Sequence, residues 1–310
     1  MGHVKLQQII FLLLFFIRED FGAPSSSQDA EGSGADPVLF VRDDFNDTKK
    51  YLVIDDMVLT KDLNKAGLIN HAWPNAIVPY TFALTIIPQQ KAMITSAIAE
   101  LSTRTCLQFR PAKKDDAYWL LFQNDPMNQG CTSYVGWQNR KNQQVQLSTN
   151  CAKGNAIHEI IHAVGFYHEH TRNDRDEYIV VNYANVNPGQ ENNFRKENEL
   201  DPPPETSVFD HPYNYDSIMH YGTNYFSKNG AKTVEPLNHP GASGKGDNIG
   251  QREYLSQGDV DMLNKKYDCP TLANVEDGLQ STKPPAPINA NPVCNFSPQL
   301  PICSKGKVEA

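Results

Sequence analysis

The fold of this chain is decided by eleven consecutive residues, His158-Glu159-Ile160-Ile161-His162-Ala163-Val164-Gly165-Phe166-Tyr167-His168. Residues four apart lie on the same face of a helix, so His158 and His162 can direct two imidazoles at one point. Glu159 lies one position round the same helix, close to that point. The spacing therefore predicts a helix that carries a metal site, and zinc favours nitrogen ligands of this kind.

Two further residues complete the predicted site. A helix commonly ends at a glycine in the left-handed conformation, where a side chain would clash, and Gly165 suits that position. Such a turn would bring His168 back as a third nitrogen ligand. Three protein ligands leave one coordination position open, which is typical of catalytic rather than structural zinc.

The composition excludes several classes of partner. The chain has 310 residues, enough for one large domain or two modest ones, and 39% of them are hydrophobic. Its formal net charge of -8 gives no basic surface for nucleic acid. No cluster of basic residues indicates binding to an anionic membrane. We expect a monomer that binds neither nucleic acid nor membrane.

The first 22 residues are predicted to be a signal peptide. Lys5 precedes an apolar run, 9–17, that is too short to span a bilayer and has the length of a signal-peptide core. No later stretch approaches 18 apolar residues, so we expect a secreted, extracellular protein. Six cysteines in such a protein indicate disulfides rather than metal ligands, although the sequence alone leaves 15 pairings open.

Hydrophobic patterning predicts secondary structure from Trp73 onward. The predicted strands are 77–82, 107–109, 118–122 and 143–148, and the predicted helices are 89–104, the histidine helix and 256–267. Residues 143–148 alternate polar and apolar, as a strand with one solvated face does. If this strand is the sheet edge, its free backbone groups can bind an extended peptide by strand addition.

The segments outside this core are less informative. Residues 51–59 form a short apolar stretch interrupted by two acids, and 61–67 are polar and basic enough to be a processing site. Residues 270–310 are rich in proline without a periodic pattern, which predicts a tail. Asn46 and Asn295 lie in glycosylation sequons, so a glycoprotein is expected.

Three stretches carry a resemblance to a known family. Residues 158–176, HEIIHAVGFYHEHTRNDRD, resemble the extended zinc signature of the astacin family in the metzincin clan. Residues 217–222, SIMHYG, resemble its Met-turn, and 73–82 are similar to the start of its catalytic domain. The resemblance implies an α+β, zincin-like fold in two lobes. A five-stranded mixed sheet and the active-site helix would form the N-terminal lobe, facing an irregular C-terminal lobe across the substrate cleft.

The resemblance also implies the organisation of the chain. The expected parts are a signal peptide (1–22), a propeptide (23–65), a catalytic domain (66–269) and a Pro-rich tail (270–310). The implied disulfides join Cys106 to Cys269 and Cys131 to Cys151. Cys294 and Cys303 have no counterpart in the family's catalytic domain and most simply pair with each other.

The family's site residues carry over onto matching positions. One zinc ion per catalytic domain would be held by His158, His162 and His168, each donating its other ring nitrogen to a carbonyl or carboxylate. Glu159 would take a proton from the activated water and deliver it to the leaving amine. Tyr221 would ligate zinc at rest and swing away to stabilise the oxyanion, unless it is simply a buried aromatic with a satisfied hydroxyl.

An upstream aspartate is implied as an inhibitor of the precursor. The family pattern is Phe-x-Gly-Asp, whereas this chain has Val53-Ile54-Asp55-Asp56, without the Phe or the Gly. Asp56 is assigned as a zinc ligand in the zymogen only. Asp55 remains a competitor, and an ordinary acidic turn remains the alternative.

Two further residues near the motif have competing interpretations. Glu169 is implied to connect with the new N-terminus after processing, and a surface carboxylate is the rival interpretation. Met219 is expected to pack beneath the metal without binding it, and the charged residues of 170–176 are expected to form a structural ion-pair network.

These patterns favour a secreted zinc endopeptidase that is made as a zymogen and acts on proteins or peptides. The alternative is a catalytically inactive, zinc-stabilised secreted binding protein, or a toxin or matrix component acting through the tail. Glu159 favours the enzyme, because an inactive protein need not keep the base.

Overall fold

The computed structural model describes residues 38–39, 51–60, 72–126, 128–200 and 211–270. All of them belong to one compact unit, 37–310. The predicted signal peptide, the processing site, the Cys294–Cys303 pair and both sequons lie outside the described residues. None of the helices within the described ranges combines the length and apolarity needed to cross a bilayer.

A mixed sheet of eight strands organises the first half of the molecule. Its strands are β1 (Val38–Leu39), β2 (Tyr51–Ile54), β3 (Met57–Thr60), β4 (Ile77–Phe82), β5 (Gln108–Pro111), β6 (Leu120–Gln123), β7 (Cys131–Tyr134) and β8 (Gln143–Leu147). Their order is β1-β2-β3-β7-β8-β6-β4-β5. Strands β4, β5, β6 and β8 pair in parallel, and β7 runs antiparallel to β8. Strands β4 to β8 are the five that the resemblance implied.

Three helices accompany the sheet: α1 (Pro88–Arg104), α2 (Lys153–Ala163) and α3 (Gln257–Lys266). The predictions of α1 and α3 are confirmed to within one residue, and the Ser256 side chain caps α3 by accepting from the backbone of Asp259. Helices α1 and α2 contact one another, and the main core contains Ile94 and Leu101 of α1 with Ile157 and Ile160 of α2. The histidine helix is therefore buried in the main core.

The second half is irregular, as expected. It consists mainly of short 3-10 turns and of a two-stranded sheet. The sheet pairs β9 (Ile179–Val181) with β10 (Val234–Pro236). Its separate core is mainly aromatic and includes Phe194, Tyr213, Tyr215 and Tyr221. The predicted fold class, an α+β arrangement of a sheet-and-helix half and an irregular half, is confirmed.

One prediction about the sheet was wrong, and the condition set for strand addition at 143–148 is not met. Ordered structure begins before Trp73, because β2 and β3 form a hairpin whose two-residue turn is Asp55-Asp56. Strand β8 is not an edge, because it lies between β6 and β7. Strand β7 has only four residues, with the polar Thr132 and Ser133 at its centre, so hydrophobic patterning did not identify it. The hairpin then extends the sheet beyond β7 through β3, in parallel.

Candidate active site and metal centre

Helix α2 and the turn that follows it bring the three histidines together. His158 and His162 lie one turn apart on the helix and are 1% and 0% exposed. The helix ends at Ala163, and Gly165 has φ +100°, the left-handed conformation that its position predicted. Its backbone N–H donates to the carbonyl of His162 at 2.8 Å, and the chain then returns to His168.

The three Nε2 atoms converge on one point. They are separated by 3.0 Å (His158 to His162), 3.2 Å (His158 to His168) and 3.2 Å (His162 to His168). In a tetrahedral zinc site with bonds of roughly 2.0–2.1 Å, neighbouring ligand atoms lie about 3.3 Å apart. The donor set and its spacing therefore fit a zinc ion.

The opposite ring nitrogens show how two of the ligands are oriented. Nδ1 of His158 lies 2.8 Å from the carbonyl of Ile218, and Nδ1 of His162 lies 2.7 Å from the carbonyl of Phe166. A proton donated there leaves the lone pair of Nε2 free for a metal. The expectation was wrong for His168, whose buried Nδ1 has no hydrogen-bond partner among the described residues. That ring packs beside the rings of His170 and Tyr221 instead, at 5.3 and 4.8 Å between centroids.

Burial favours the neutral form of two of the ligands, His158 and His168. It lowers the pKa of His158 well below its usual value, and the charge of Arg252 adds to the effect. It lowers the pKa of His168 to about 4, against the opposing pull of Asp56. Neutral imidazole is the state that binds a metal, so the site is electrostatically prepared for one.

Glu159 has an unusual environment for a carboxylate. It is 1% exposed, and its Oε2 has no hydrogen-bond partner among the described residues. Burial raises its pKa well above the usual value, and the charges of Asp56 and Asp55 raise it further. A buried carboxyl group with an unpaired oxygen and a raised pKa is suited to accept and return a proton.

The Met-turn is held beside His158 by Asp259, a residue whose role the sequence did not reveal. The fully buried carboxylate of Asp259 accepts from the hydroxyl of Ser217 at 2.6 Å and from the backbone N–H of Ile218 at 3.1 Å. The carbonyl of the same Ile218 orients His158. The side chain of Met219 is buried in the main core. Ser256 and Asp259 were visible in the sequence only as a capping pattern for α3.

The carboxylate of Asp56 contacts the Nε2 atoms of all three histidines. Its carboxylate oxygens are 3.1 Å from Nε2 of His158, 3.3 Å from that of His162 and 3.0 Å from that of His168. Burial alone would raise its pKa, but His168 and His158 lower it well below the usual value, so the carboxylate is ionised. The four side chains together form a group that can hold a metal ion.

The two adjacent acids of the hairpin have different partners. Asp55 occupies the left-handed region at φ +53°, the position at which the family pattern has glycine. Its carboxylate accepts a hydrogen bond of 2.6 Å from the hydroxyl of Tyr221. The Tyr221 ring stacks on His170 at 3.6 Å between centroids. In this arrangement the hydroxyl of Tyr221 is bonded to the hairpin.

Glu169 is buried, so the surface-carboxylate interpretation was wrong. Its Oε1 accepts from Arg172 at 3.0 Å and from the backbone N–H of Asn214 at 2.8 Å. Burial raises its pKa to about 7 despite the neighbouring Arg172. Arg172 also pairs with Asp174, and Arg175 pairs with Asp176, which gives the structural ion-pair network expected for 170–176.

The disulfides connect the elements that carry the site. Cys131 in β7 is joined to Cys151, which lies just before α2. Cys106, after α1, is joined to Cys269, after α3. These are the pairs that the resemblance implied. The first holds the outer strand of the catalytic sheet beside the histidine helix.

Comparison with known proteins agrees with this geometry. The model of the Astacin peptidase family matches residues 66–268. The chain is 34% identical to nematocyst expressed protein 6 of Nematostella vectensis over 272 residues, 78% of this chain and 89% of that protein. It is 37% identical to zinc metalloproteinase nas-13 of Caenorhabditis elegans over 215 residues, 68% of this chain but 44% of that relative.

A solved structure shares the fold. High choriolytic enzyme 1, a hatching enzyme zinc-protease from Oryzias latipes, aligns with a TM-score of 0.55 and 29% identity. The alignment covers 64% of this chain and 94% of that structure. The region shared with the family model contains the histidine helix, the Met-turn and the five catalytic strands.

Proposed function

The chain belongs to the astacin family of zinc metalloendopeptidases, and from that premise we propose that it is made as a secreted, inactive precursor whose processed form hydrolyses proteins with Glu159 as general base. One observation carries the proposal. Three imidazole nitrogens lie within 3.2 Å of one another. Helix α2, which carries two of them, also carries Glu159, whose buried Oε2 has no hydrogen-bond partner among the described residues.

The proposed roles follow from the positions of the side chains. His158, His162 and His168 would hold the zinc ion, which when bound polarises a peptide carbonyl and lowers the pKa of water. Glu159 takes a proton from the attacking water and delivers it to the leaving amine. A carboxylate suits both steps, because it can hold the proton between them.

Tyr221 is proposed to stabilise the oxyanion that develops on the substrate carbonyl. Its ring lies beside that of His168, with centroids 4.8 Å apart, which puts the side chain next to the proposed metal site. Because Asp55 accepts its hydrogen bond, the hydroxyl is withheld from a substrate in the precursor.

The hairpin is proposed to be the inhibitory part of the propeptide. Asp56 contributes a carboxylate to the histidines, where it would exclude water and the substrate carbonyl. The hairpin is joined to the catalytic half through residues 61–71, and we place the activating cut between about Leu63 and Gly67. After that cut the hairpin can dissociate, because the covalent connection that holds it in place is broken.

The substrate is proposed to bind along the edge of β7. Backbone N–H groups of Ser133 and Val135 donate to the carbonyls of Asp56 and Val58 at 2.9 and 3.3 Å. When the hairpin leaves, those donors become available to an extended peptide. Peptide binding by strand addition, which the sequence pattern suggested for 143–148, is thus proposed for strand β7.

Secretion is supported by the two disulfides that hold the catalytic half together, since such bonds persist in oxidising compartments. The predicted signal peptide (1–22), propeptide (23–65), catalytic domain (66–269) and Pro-rich tail (270–310) remain our proposed organisation.

One experiment tests the proposed function. The full precursor is expressed in a secretory host and trimmed with a protease, and casein cleavage is measured with and without a zinc chelator. We expect cleavage only after trimming, loss with the chelator and recovery when zinc is restored. Glu159→Gln should lower kcat by about 10²- to 10⁴-fold, the usual contribution of a general base.

The zinc content of each protein is the control. Glu159→Gln should retain zinc and thermal stability, since a buried glutamine replaces a glutamate of the same shape. Cleavage by Glu159→Gln at the parent rate would contradict the assigned mechanism. Cleavage that survives complete removal of zinc would contradict the assigned cofactor chemistry.

A further inference from the structure

The hairpin of β2 and β3 packs on the catalytic half through one apolar face. Its register pairs Leu52 with Leu59 and Ile54 with Met57. Side chains alternate along a strand and directly opposed residues share a face, so these four project to the same side. Met57 is 1% exposed, and Leu52 and Ile54 are 4% exposed, so most of this face is enclosed.

The surface that encloses them is made of three residues, Val135, Tyr167 and Leu200, which we call the apolar pocket. Val135 directly follows β7, and Tyr167 directly precedes His168. The backbone N–H of Gly136, the residue after Val135, donates to the carbonyl of His162 at 2.8 Å. Val135 is therefore next to a residue that bonds to His162, and Tyr167 is next to His168. This part of the pocket lies close to the metal site.

The pocket is covered in the precursor by the element that also pairs with the edge of β7. Met57 is aligned with Ser133, and Val58 with Tyr134. An extended substrate that replaced β3 on this edge would present alternate side chains to opposite faces. Every second side chain of that substrate would point to the side of the pocket, and the one that took the place of Met57 would enter it.

We propose that Val135, Tyr167 and Leu200 form a specificity subsite, and that the processed enzyme prefers Leu, Ile, Met or Val at one substrate position close to the scissile bond. This inference rests on the proposed function, because it concerns the substrate of that same site. The aliphatic side chains of the hairpin are the model for the occupant.

The chemistry of the pocket discriminates against charged side chains. None of its three side chains carries a charge, and Val135 and Leu200 are 6% and 7% exposed when the hairpin covers them. A substrate Lys, Arg, Asp or Glu bound there would lose its hydration without gaining an ionic partner from the pocket. An aliphatic side chain gains by burial and loses nothing comparable.

The test uses the trimmed precursor and a library of peptides with randomised positions on both sides of the cleaved bond. Products are sequenced by mass spectrometry to obtain kcat/KM for each residue at each position. We expect Leu to exceed Ala and Lys by about 10- to 100-fold at one position, mainly through KM. Leu200→Lys should reverse that preference toward Asp and Glu.

Leu84→Lys is the matched control. Leu84 is fully exposed between β4 and α1, and β4 lies three strands away from β7 in the sheet. The same substitution there should leave the peptide preference unchanged. An absence of aliphatic preference in the parent, or a preference that Leu200→Lys does not alter, would overturn the proposal.

A binding measurement separates this proposal from the proposed function. A synthetic peptide of residues 50–61 is titrated calorimetrically into the trimmed Glu159→Gln protein, alongside the same peptide carrying Met57→Lys. We expect the second peptide, and the Leu200→Lys protein, to bind about tenfold more weakly. If no protein is cleaved, the proposed function fails while this difference still supports the pocket. Equal binding, or none, overturns it.

Discussion

The histidine helix and the hairpin of β2 and β3 meet at the same point but are held there in different ways. Helix α2 presents His158 and His162 from the middle of the main core, where Ile157, Ile160 and Ile161 are fully buried. The hairpin, residues 51–60, presents Asp56 from a two-residue turn at the margin of the sheet. The histidines are fixed by the interior of the fold, whereas Asp56 is fixed by contacts at its surface.

The difference is consistent with the proposal that the histidine site is permanent and that the hairpin is a temporary inhibitor. Displacing α2 would break the core of the sheet-and-helix half. Displacing the hairpin breaks the pairing of β3 with β7 and uncovers the apolar pocket, but leaves the five catalytic strands paired. Substitutions on the helix side should therefore lower global stability, and those on the hairpin side should change latency.

The largest effect is expected from Asp259→Ala, on the helix side. The substitution leaves the buried Ser217 hydroxyl and Ile218 N–H without their acceptor, so the free energy of unfolding should fall by about 3 kcal/mol. Zinc affinity should fall by about tenfold, because Ile218 orients His158. Thermal unfolding and zinc analysis measure both.

The control for that prediction is Asp261→Ala, which removes an exposed carboxylate from the same helix. It should change the free energy of unfolding by less than about 0.5 kcal/mol. Similar losses in the two variants would show that Asp259 supports the helix α3 rather than the Met-turn.

Asp56→Ala should have the next largest effect and should act on latency alone. Loss of the carboxylate removes its contacts with three histidines, so the activity of the uncut precursor should rise by at least about tenfold, equivalent to about 1.4 kcal/mol. The trimmed enzyme should be unaffected, since it lacks the hairpin. If the uncut Asp56→Ala precursor showed no more activity than the uncut parent, inhibition by Asp56 would be contradicted.

Met57→Asp tests whether the apolar face holds the hairpin in place. A charge at a position that is 1% exposed cannot be hydrated, so the hairpin should dissociate more often. We expect activity of the uncut precursor to rise by roughly fivefold, about 1 kcal/mol, and the hairpin to be digested faster in limited proteolysis. Leu237→Asp, at an exposed position of the irregular half, should do neither.

The last prediction, similar in size to that for Met57→Asp, concerns the backbone at Asp55. Asp55→Gly and Asp55→Ala both remove the hydrogen bond to Tyr221, but only glycine adopts φ +53° freely. The left-handed conformation costs other residues about 1 kcal/mol, so the alanine precursor should be about fivefold more active than the glycine precursor before trimming. Equal activities would show that the turn conformation does not limit inhibition.

The parts of the site that follow from the sequence are those with local geometry. The spacing of His158 and His162, the end of α2 and the left-handed Gly165 depend on residues a few positions apart, so periodicity and glycine chemistry were sufficient. The helices α1 and α3 were predictable for the same reason. The roles of the Met-turn and of Asp56 came from the resemblance, because nothing in local spacing connects them with the histidines.

Only the tertiary structure decided the remaining features. Asp259 supports His158 through Ile218, His168 packs against aromatic rings without a partner at Nδ1 among the described residues, and β7 rather than β8 borders the hairpin. Gly154 is a further case, because a Cβ there would lie 1.7 Å from the carbonyl oxygen of Arg252.

The metal-binding helix therefore follows from the sequence alone, whereas its surroundings depend on the fold. A helix fixes the relative positions of residues three or four apart through its own hydrogen bonds, so their pattern can be recognised in any context. Contacts between residues far apart in the chain depend on how sheets and loops pack, and such packing leaves no periodic pattern in the sequence. The division between the two adjacent acids, with Asp56 on the histidines and Asp55 on Tyr221, is the clearest result of that packing.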